Sequence, residues 1–297
     1  GDYADWMEPH LVRALGEARI PVLAAQARRA PVDLRVNTLK TDRERALKAL
    51  AAFAPEPHPV LADAIRIPAP EAQTRAPAVE SAPEFQKGWF EVQDAGSQIV
   101  AALAGKITGA QVLDYCAGGG GKTLALAAAM ANRGQIFAYD SDARRLSETV
   151  TRASRAGVRN LQVRSPLRAD ALSDLEGRMD LVFVDAPCTG SGVWRRHPGA
   201  KWRLTPDQMA QRLADQDAVL EGAARHVRVG GRLVYVTCSL FTEENEDRIA
   251  AFMARHPAFR AIPAQPPGEL GVTAEGYLRL APPATDGFFA AVLERAA

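Results

Sequence analysis

Two cysteines and an aspartate follow predicted strands, where the catalytic side chains of α/β folds gather. Asp185 directly follows the predicted strand Met179–Val184, and Cys188 stands three residues later. Cys238 follows the predicted strand Arg232–Thr237. Ligands of doubly wound sheets bind at the carboxyl ends of the strands, so we expect both thiols in one crevice. A single buried cysteine is usually only a small apolar side chain, but two at strand ends favour a chemical role.

Two thiols and a carboxyl group suit methyl transfer to carbon 5 of a pyrimidine. Carbon 5 of cytosine is a weak nucleophile until a thiolate adds to carbon 6 and makes it enamine-like. A base must then remove the carbon 5 proton so that the thiolate can leave, while a carboxyl group near N3 stabilises the adduct. Cys188, Cys238 and Asp185 could fill these roles. Their spacing does not decide which cysteine attacks.

A run of four glycines lies between a predicted strand and a predicted helix. The strand Gln111–Tyr115 leads into Cys116 and Ala117, and Lys122 and Thr123 follow the glycines Gly118, Gly119, Gly120 and Gly121. A strand, glycine loop and helix in this order let a ligand approach the backbone and the helix N-terminus. A turn without a ligand would lose folding entropy to four glycines for no structural gain.

Two ligands fit such a loop. Gly-Lys-Thr ends the P-loop signature, but that motif needs a glycine six residues before the lysine, and residue 116 is cysteine. S-adenosylmethionine instead needs an acid at the end of the next strand, roughly 20 residues on. Asp140 directly follows the predicted strand Gln135–Tyr139, and Asp170 after the third strand could face the adenine. The sequence therefore favours an S-adenosylmethionine site over a P-loop.

Strands and helices alternate from about residue 89 onward, which predicts a parallel sheet covered on both faces. Expected strands span residues 111–115, 135–139, 160–163, 179–184 and 232–237, and expected helices span about 95–104, 122–131, 142–156, 205–227 and 242–255. Thr205 and Gln208 form a predicted capping box, and Thr242 is expected to cap the last helix with Glu243 and Glu244 in its first turn. Residues 277–280 and 288–293 predict a closing hairpin around Asp286.

The first part of the chain is predicted to form a small α/β module. We therefore expect one domain at residues 1–88 and a second at residues 89–297. Helix is expected within residues 1–30 and 41–53, and strand at 32–39 and 64–67. Residues 55–83 are rich in proline and alanine.

A basic loop after Cys188 predicts RNA contact. It carries Arg195, Arg196, His197, Lys201 and Arg203, with Trp194 and Trp202 between them. Cations for phosphates and rings for stacking suit single-stranded RNA, although an ordinary solvated loop is the alternative. Residues of the first module would extend this surface, namely Arg35, Asn37 and Lys40. We expect Arg152, Arg155 and Arg159 to form a solvated helix face.

Composition narrows the class of protein. The 297 residues are 47% hydrophobic, and 36 basic against 35 acidic side chains give a net charge of +1, so RNA binding must rest on local patches. Three cysteines without a C-x-x-C pair argue against a disulfide framework or a zinc site. The sequence shows neither an apolar run of about 20 residues nor a signal peptide at its start. We expect a cytoplasmic, metal-free monomer.

The sequence resembles the Fmu/Sun (NOL/NOP/Sun) family of RNA cytosine-C5 methyltransferases, and the bacterial small-subunit ribosomal RNA branch in particular. The likeness covers nearly the whole chain. It rests on the motifs at residues 34–40, 92–98, 116–123, 185–190, 195–198, 237–239, 243–246 and 286–289.

This resemblance implies a Rossmann-like class I methyltransferase domain behind a small RNA-binding module. It implies that Cys238 attacks carbon 6, that Cys188 assists proton removal and release, and that Asp185 touches both the cytosine and the cofactor. S-adenosylmethionine would be held by residues 116–122, Asp140, Asp170 and Asp185. The implied substrate is 16S ribosomal RNA. Transfer RNA and a non-catalytic RNA-binding assembly factor are the alternatives.

The sequence departs from the family pattern in two ways. Gly118 and Gly119 replace the usual alanine and proline, which makes the loop costlier to order. The extra N-terminal helical domain that the ribosomal branch often carries is not in this sequence.

Overall fold

The computed structural model describes residues 2–69 and 78–296, so part of the proline- and alanine-rich stretch lies outside the described residues. The first sheet has the order β2-β3-β1-β4, and all its pairings are antiparallel. Its strands are β1 (Val32–Val36), β2 (Glu56–Pro57), β3 (Ala64–Ile67) and β4 (Phe90–Val92).

Four helices accompany this sheet: α1 (Glu8–Leu15), α2 (Arg19–Gln26), α3 (Arg43–Ala49) and α4 (Pro83–Gln86). The expected N-terminal helix is confirmed as two helices, α1 and α2, with a 3-10 turn at Gly16–Ala18 between them. Met7 and Leu11 are buried against Trp194 and Phe241 of the second part of the chain. The N-terminal helices therefore brace the loop that follows Cys188.

The second sheet runs β10-β12-β9-β8-β5-β6-β7, with β11 paired to β12. Its strands are β5 (Gln111–Asp114), β6 (Gln135–Tyr139), β7 (Leu161–Arg164), β8 (Met179–Asp185), β9 (Val227–Thr237), β10 (Phe259–Ile262), β11 (Leu278–Leu280) and β12 (Phe288–Arg295). Strands β5 to β9 pair in parallel, whereas β10, β11 and β12 pair antiparallel. The predicted doubly wound sheet with a closing hairpin is confirmed.

Helices cover both faces of the second sheet. They are α5 (Ala95–Ala102), α6 (Gly121–Ala129), α7 (Ala143–Ala156), α8 (Ala200–Arg203), α9 (Pro206–Ala224) and α10 (Glu246–Arg255). Alternate residues of β5 point to opposite faces, because Val112 packs with Leu126 of α6 and Leu113 packs with Leu220 of α9. The two cores fix the strands whose ends build the site.

Several local predictions can be compared with the structure. The capping box is confirmed: Thr205 Oγ1 accepts from the Gln208 amide at 3.2 Å, and Gln208 Oε1 accepts from the Thr205 amide at 3.1 Å. The prediction that Thr242 caps the last helix is wrong, because residues 242–244 form a 3-10 turn and Asn245 stands at the N-cap of α10.

Three strands had no counterpart in the sequence prediction, namely β2, β4 and β10. Strand β4 pairs with β1 of the first sheet, so we propose that the boundary between the two domains lies after residue 92 rather than 88. Of the helices in the described ranges, none combines the length and apolar character that a membrane crossing needs.

Candidate active site

The candidate site lies where neighbouring parallel strands end. Strands β9, β8, β5 and β6 are adjacent in the sheet, and parallel strands end at the same edge. Strand β5 leads into the glycine loop, β8 ends at Asp185, and β9 ends one residue before Cys238. Asp140 follows β6 directly. The topology therefore brings together groups that stand far apart in the sequence.

The two thiols expected in one crevice are in contact. Cys188 Sγ lies 3.3 Å from Cys238 Sγ, and both side chains are partly buried. The hydrogen bond to Cys238 raises the pKa of the Cys188 thiol well above its usual value, and burial and the nearby charges of Cys238 and Glu244 raise it further. Cys188 therefore keeps its proton at neutral pH.

The third cysteine differs from this pair. Burial raises the pKa of the Cys116 thiol well above its usual value, and the charges of Asp114, Asp140 and Asp185 raise it further. A protonated buried thiol is chemically inert. Cys116 therefore shapes the loop without serving as a nucleophile.

Lys122 and Asp185 join the glycine loop to the end of β8. The Lys122 ammonium donates to Asp185 Oδ2 at 2.7 Å, and the side chains are 10% and 34% exposed. Burial lowers the pKa of Lys122, but the charge of Asp185 and its hydrogen bond outweigh burial, so the pKa is raised. The ammonium stays charged, and the more exposed carboxylate faces the crevice.

The glycine loop turns sharply just before α6. Gly118 and Gly120 have φ angles of 53° and 83°, in the left-handed region that favours glycine. Gly120 is the N-cap of α6 and offers no side-chain cap, so the first amides of this helix can bind an anionic group. Asp140 Oδ2 accepts from the Gly118 amide at 2.8 Å and supports the loop from β6.

Helix α7 forms hydrogen bonds to Gly118 and Gly119, which replace the alanine and proline of the family pattern. Thr149 Oγ1 donates to Gly118 O at 3.0 Å, and Arg152 Nη1 donates to Gly119 O at 2.7 Å. These bonds offset the entropic cost expected from the two glycines.

The prediction that Arg152 and Arg155 form a solvated helix face is wrong. Arg152 Nη2 and Arg155 Nη2 pair with the buried Glu91 of β4 at 2.8 and 2.5 Å. Arg159 is exposed, as expected, but it lies beyond the end of α7 at Ala156. The helix face therefore ties the small sheet to the glycine loop.

Two further residues of this region had not been singled out. Arg145 Nη1 lies 3.8 Å from Asp140 Oδ2, and a basic residue in the first turns after a strand-end acid was the only sequence signal. Asp114 is fully buried beneath the loop, where its Oδ2 accepts from Thr123 Oγ1 at 2.6 Å and its Oδ1 has no partner. Burial raises the pKa of Asp114 to about 7.

Asp170 lies apart from the glycine loop. Its side chain is 66% exposed and pairs with Arg168 at 3.4 Å. It lines a surface cavity of about 560 Å³ together with Val163 and Arg164 of β7. Within the described residues it makes no hydrogen bond or ion pair with the loop.

The arginines expected to bind RNA phosphates are internal ion-pair partners, which corrects that prediction. The Arg195 side chain is 3% exposed, and the guanidinium groups of Arg195 and Arg196 both contact the buried Asp286. Arg196 also donates to Asp94 at 2.8 Å. Because these cations are already neutralised inside the fold, they hold the loop rather than a phosphate.

Arg35 and Asn37 are likewise structural, which again corrects their expected contact with RNA. Arg35 is buried and donates to Gln93 Oε1 at 2.7 Å, and burial lowers its pKa to about 10. Asn37 Nδ2 donates to Gly88 O and Ala156 O, each at 2.8 Å.

Other residues of the expected RNA surface do face solvent. Lys40, His197 and Arg203 are exposed. The Trp202 side chain is 56% exposed, whereas Trp194 is buried. Within the described ranges, no cluster of three or more His, Cys, Asp or Glu side chains could hold a metal ion.

Known proteins are similar to this chain in sequence and in fold. Ribosomal RNA small subunit methyltransferase B of Yersinia pseudotuberculosis is 34% identical over 299 residues, which cover 99% of this chain and 66% of the relative. The chain thus spans about two thirds of that curated relative's length.

Solved structures have the same architecture. A methyltransferase homolog protein from Pyrococcus horikoshii matches with a TM-score of 0.82 and 29% identity, covering 99% of this chain and 96% of that one. NSun6 from the same organism, solved with SFG, has a TM-score of 0.86 at 22% identity over 100% of this chain and 99% of that one, and shows the fold alone.

Family models account for most of the chain. Residues 3–73 match the RsmF/B-like ferredoxin-like domain, which confirms the small N-terminal module. Residues 101–294 match the model described as 16S rRNA methyltransferase RsmB/F. Since this second match alone covers more than half of the chain, the protein belongs to the RsmB/F family of 16S rRNA methyltransferases.

Proposed function

We propose that this protein methylates carbon 5 of cytosine in RNA, with 16S ribosomal RNA as the substrate and Cys238 as the attacking nucleophile. The observation that carries the proposal is the 3.3 Å contact between Cys188 and Cys238 beside the Asp185–Lys122 ion pair. Family membership supports RNA methylation in general, and this constellation supports the choice of cytosine.

S-adenosylmethionine is the cofactor that family membership implies, and when bound it supplies an electrophilic methyl group. The residues fit it: the left-handed glycines make the tight turn that leads into α6, and the uncapped N-terminus of that helix suits the carboxylate of the cofactor. The Asp140 carboxylate would hold the ribose hydroxyls. The groups that we propose to hold the cofactor are residues 116–122, Asp140, Asp185 and, from the loop after β7, Asp170.

The two thiols would act in different protonation states. Cys188 keeps its proton because its pKa is raised, and its thiol can donate to a thiolate on Cys238 across 3.3 Å. Cys238 would then add to carbon 6, and the electron pair displaced to carbon 5 would take up the methyl group. Once Cys238 is bonded to carbon 6, its hydrogen bond and charge no longer hold the proton on Cys188, so Cys188 would release that proton to solvent and, as a thiolate, accept the carbon 5 proton. The electron pair left at carbon 5 re-forms the double bond to carbon 6, and Cys238 leaves as a thiolate.

Asp185 would orient the base. Its carboxylate is fixed by Lys122 on one side and is open to the crevice on the other. A carboxyl group at this position can stabilise N3 of the cytosine adduct while lying next to the cofactor loop. The target base must leave its stack to reach the thiols, so we expect a loop or a locally melted helix as substrate.

Transfer RNA is the alternative substrate. The alternative of a non-catalytic assembly factor rested on the altered glycine loop, and the bonds from α7 to that loop remove this support.

We expect the enzyme to act as a monomer in the cytoplasm, whose reducing conditions suit its three free cysteines.

The test is methyl transfer to defined RNAs. Wild-type protein would be incubated with labelled S-adenosylmethionine and either 16S ribosomal RNA or bulk transfer RNA, followed by nucleoside mass spectrometry and bisulfite sequencing. We expect 5-methylcytosine in the 16S RNA, no product with Cys238→Ala, and unchanged product with Ser154→Ala, an exposed position of α7. Methylation of another base, or full activity of Cys238→Ala, would overturn the proposal.

A further inference from the structure

Glu244 is a completely buried carboxylate between the loops that carry the two thiols. It ends the 3-10 turn at Thr242–Glu244, just before α10. On the Cys188 side, Glu244 Oε1 accepts from the Thr189 amide at 2.8 Å, and Oε2 accepts from Thr189 Oγ1 at 2.5 Å. On the Cys238 side, Oε2 accepts from the hydroxyl of Ser239. Thr189 and Ser239 each directly follow a reactive cysteine.

Helix α9 completes this arrangement. Gln216 Nε2 donates to Glu244 Oε1 at 2.9 Å and also to Pro187 O at 2.9 Å. Pro187 directly precedes Cys188. The residues on both sides of that thiol are therefore tied to the same buried carboxylate, either directly or through Gln216.

Asn245 performs the corresponding task for the other thiol. Its Oδ1 accepts from Thr237 Oγ1 at 2.5 Å, and its Nδ2 donates to Ser239 O at 3.0 Å. Both residues flanking Cys238 are thus held by one side chain that is itself fully buried.

No cation balances Glu244 among the residues that the structure describes, and every partner is a neutral donor on a loop or helix next to the thiols. A buried charge without a cationic partner is costly to keep. The charge also acts on the chemistry, since it contributes to the raised pKa of Cys188, after the hydrogen bond to Cys238, burial and the charge of Cys238. These features favour a role at the site over a purely structural one.

We propose that Glu244 is a positioning residue which, together with Asn245, sets the distance and orientation of Cys188 and Cys238 for reaction. This inference rests on the proposed function, because it assigns the residue that aligns the two thiols of that same site. Removing the carboxylate would release both loops, and a misplacement of about 1 Å can cost about 100-fold in rate.

The test uses the full chain with Glu244→Gln and Glu244→Ala. Glutamine keeps the shape and removes the charge, since the hydroxyls of Thr189 and Ser239 can turn to accept from its amide. Glu243→Gln is the matched control, because the neighbouring Glu243 pairs with His10 and Arg13 instead of the cysteine loops.

Three measurements separate positioning from simple loss of fold. We expect Glu244→Ala to lower the single-turnover methylation rate by about 100-fold, while the cofactor Kd from calorimetry stays at the wild-type value. We also expect Glu244→Gln to move the pH midpoint for alkylation of Cys188 to lower pH in cofactor-free protein. The groups that face this thiol are Cys238, Glu244 and Tyr235. Wild-type rates in both variants, or an unmoved alkylation midpoint, would overturn the inference.

Two further outcomes also test the inference: a variant that does not fold, and a wild-type protein that methylates no cytosine. If Glu244→Ala does not fold, Thr189→Val and Ser239→Ala each remove one donor to the same carboxylate, and each should slow methylation without changing cofactor binding. If wild-type protein methylates no cytosine, the proposed function fails, but the alkylation of Cys188 still tests whether Glu244 acts on the thiols.

Discussion

The Lys122 ammonium donates a 2.7 Å hydrogen bond to the Asp185 carboxylate and thereby connects the start of α6 with the end of β8. The glycine loop leads into α6, and β8 leads into the loop that carries Cys188. The ion pair is therefore shared by the two halves of the site. A change at either residue should affect both the placement of the cofactor and the placement of the target base.

Replacing Asp185 by asparagine should lower both the stability of the fold and the rate of methyl transfer. Asp185→Asn keeps the shape but leaves the nearly buried Lys122 ammonium without its anion, so we expect a stability loss of about 2 kcal/mol and nearly complete loss of methyl transfer. Urea unfolding and single-turnover assays would measure both. Asp174→Asn, at an exposed pair with Arg164, is the control and should change neither. An Asp185→Asn variant with normal turnover would exclude the carboxylate from the reaction.

Cys188→Ala should trap the covalent intermediate. Without the thiol that assists proton removal, Cys238 would still add to carbon 6, but the bond would not break. We expect a slower band on denaturing gels when active RNA and cofactor are present, and no such band for the double variant Cys188→Ala/Cys238→Ala. If the single variant turned over and left no adduct, release would have to depend on another group.

Asp114 should make stability depend on pH. Its pKa is raised to about 7 by burial, so the folded state binds its proton more tightly than the unfolded state does. The protonated form stabilises the fold below the ordinary carboxyl pKa, and this contribution is lost as pH rises through about 7.

Asp114→Asn should remove this dependence. The unfolding free energy of the wild type should fall relative to the variant by up to about 1.4 kcal/mol per pH unit between about pH 4.5 and 7, and then level off. Urea unfolding across this range would show it, with Asp174→Asn as a control whose curve should run parallel to the wild type. Parallel curves for Asp114→Asn as well would mean that Asp114 is ionised in the folded protein at acidic pH.

The arrangement of the sheet could be predicted from the sequence, because it depends on local patterns. Alternating apolar residues and loop glycines located β5, β6 and β8 to within about a residue. The rule that ligands lie at the carboxyl ends of such strands then brought Cys188 and Cys238 together. Strands β4 and β10 were missed because each is short and is stabilised by partners far away in the chain, namely β1 and β12.

The environment of individual charges could not be predicted. The sequence does not distinguish Arg195, Arg196 and Arg203. In the structure, Arg195 and Arg196 form ion pairs with Asp286, whereas Arg203 is exposed. The sequence predicts that Glu244 is an acid in the first turn of a helix, whereas the structure buries it between two loops. A charge's partner is set by tertiary packing, which spacing along the chain does not encode.

The buried pairs around Asp286 should contribute more to stability than to RNA binding. Among the residues that the structure describes, Asp286→Asn leaves Asp94 as the one remaining anion beside the guanidinium groups of Arg195 and Arg196, at 3.6 and 2.8 Å, so we expect a loss of about 3 kcal/mol in unfolding free energy. The matched control is Asp170→Asn, whose pair with Arg168 is mostly exposed and should matter by no more than about 0.5 kcal/mol. Equal effects of the two substitutions on urea unfolding would contradict this ranking.

Trp202 should contact RNA, although the guanidinium groups of Arg195 and Arg196 are paired inside the fold. Its ring is 56% exposed, so a base could stack on it, whereas the neighbouring Lys201 ammonium is paired with Asp2. We expect Trp202→Ala to weaken binding of single-stranded RNA by roughly 1–3 kcal/mol, as loss of one stacked base does. Fluorescence anisotropy with a labelled oligonucleotide would measure this, and Val229→Ala, an exposed apolar residue on β9, is the control. If both variants bound RNA like the wild type, the RNA surface would have to be sought away from α8, for instance around Lys40 on the first module.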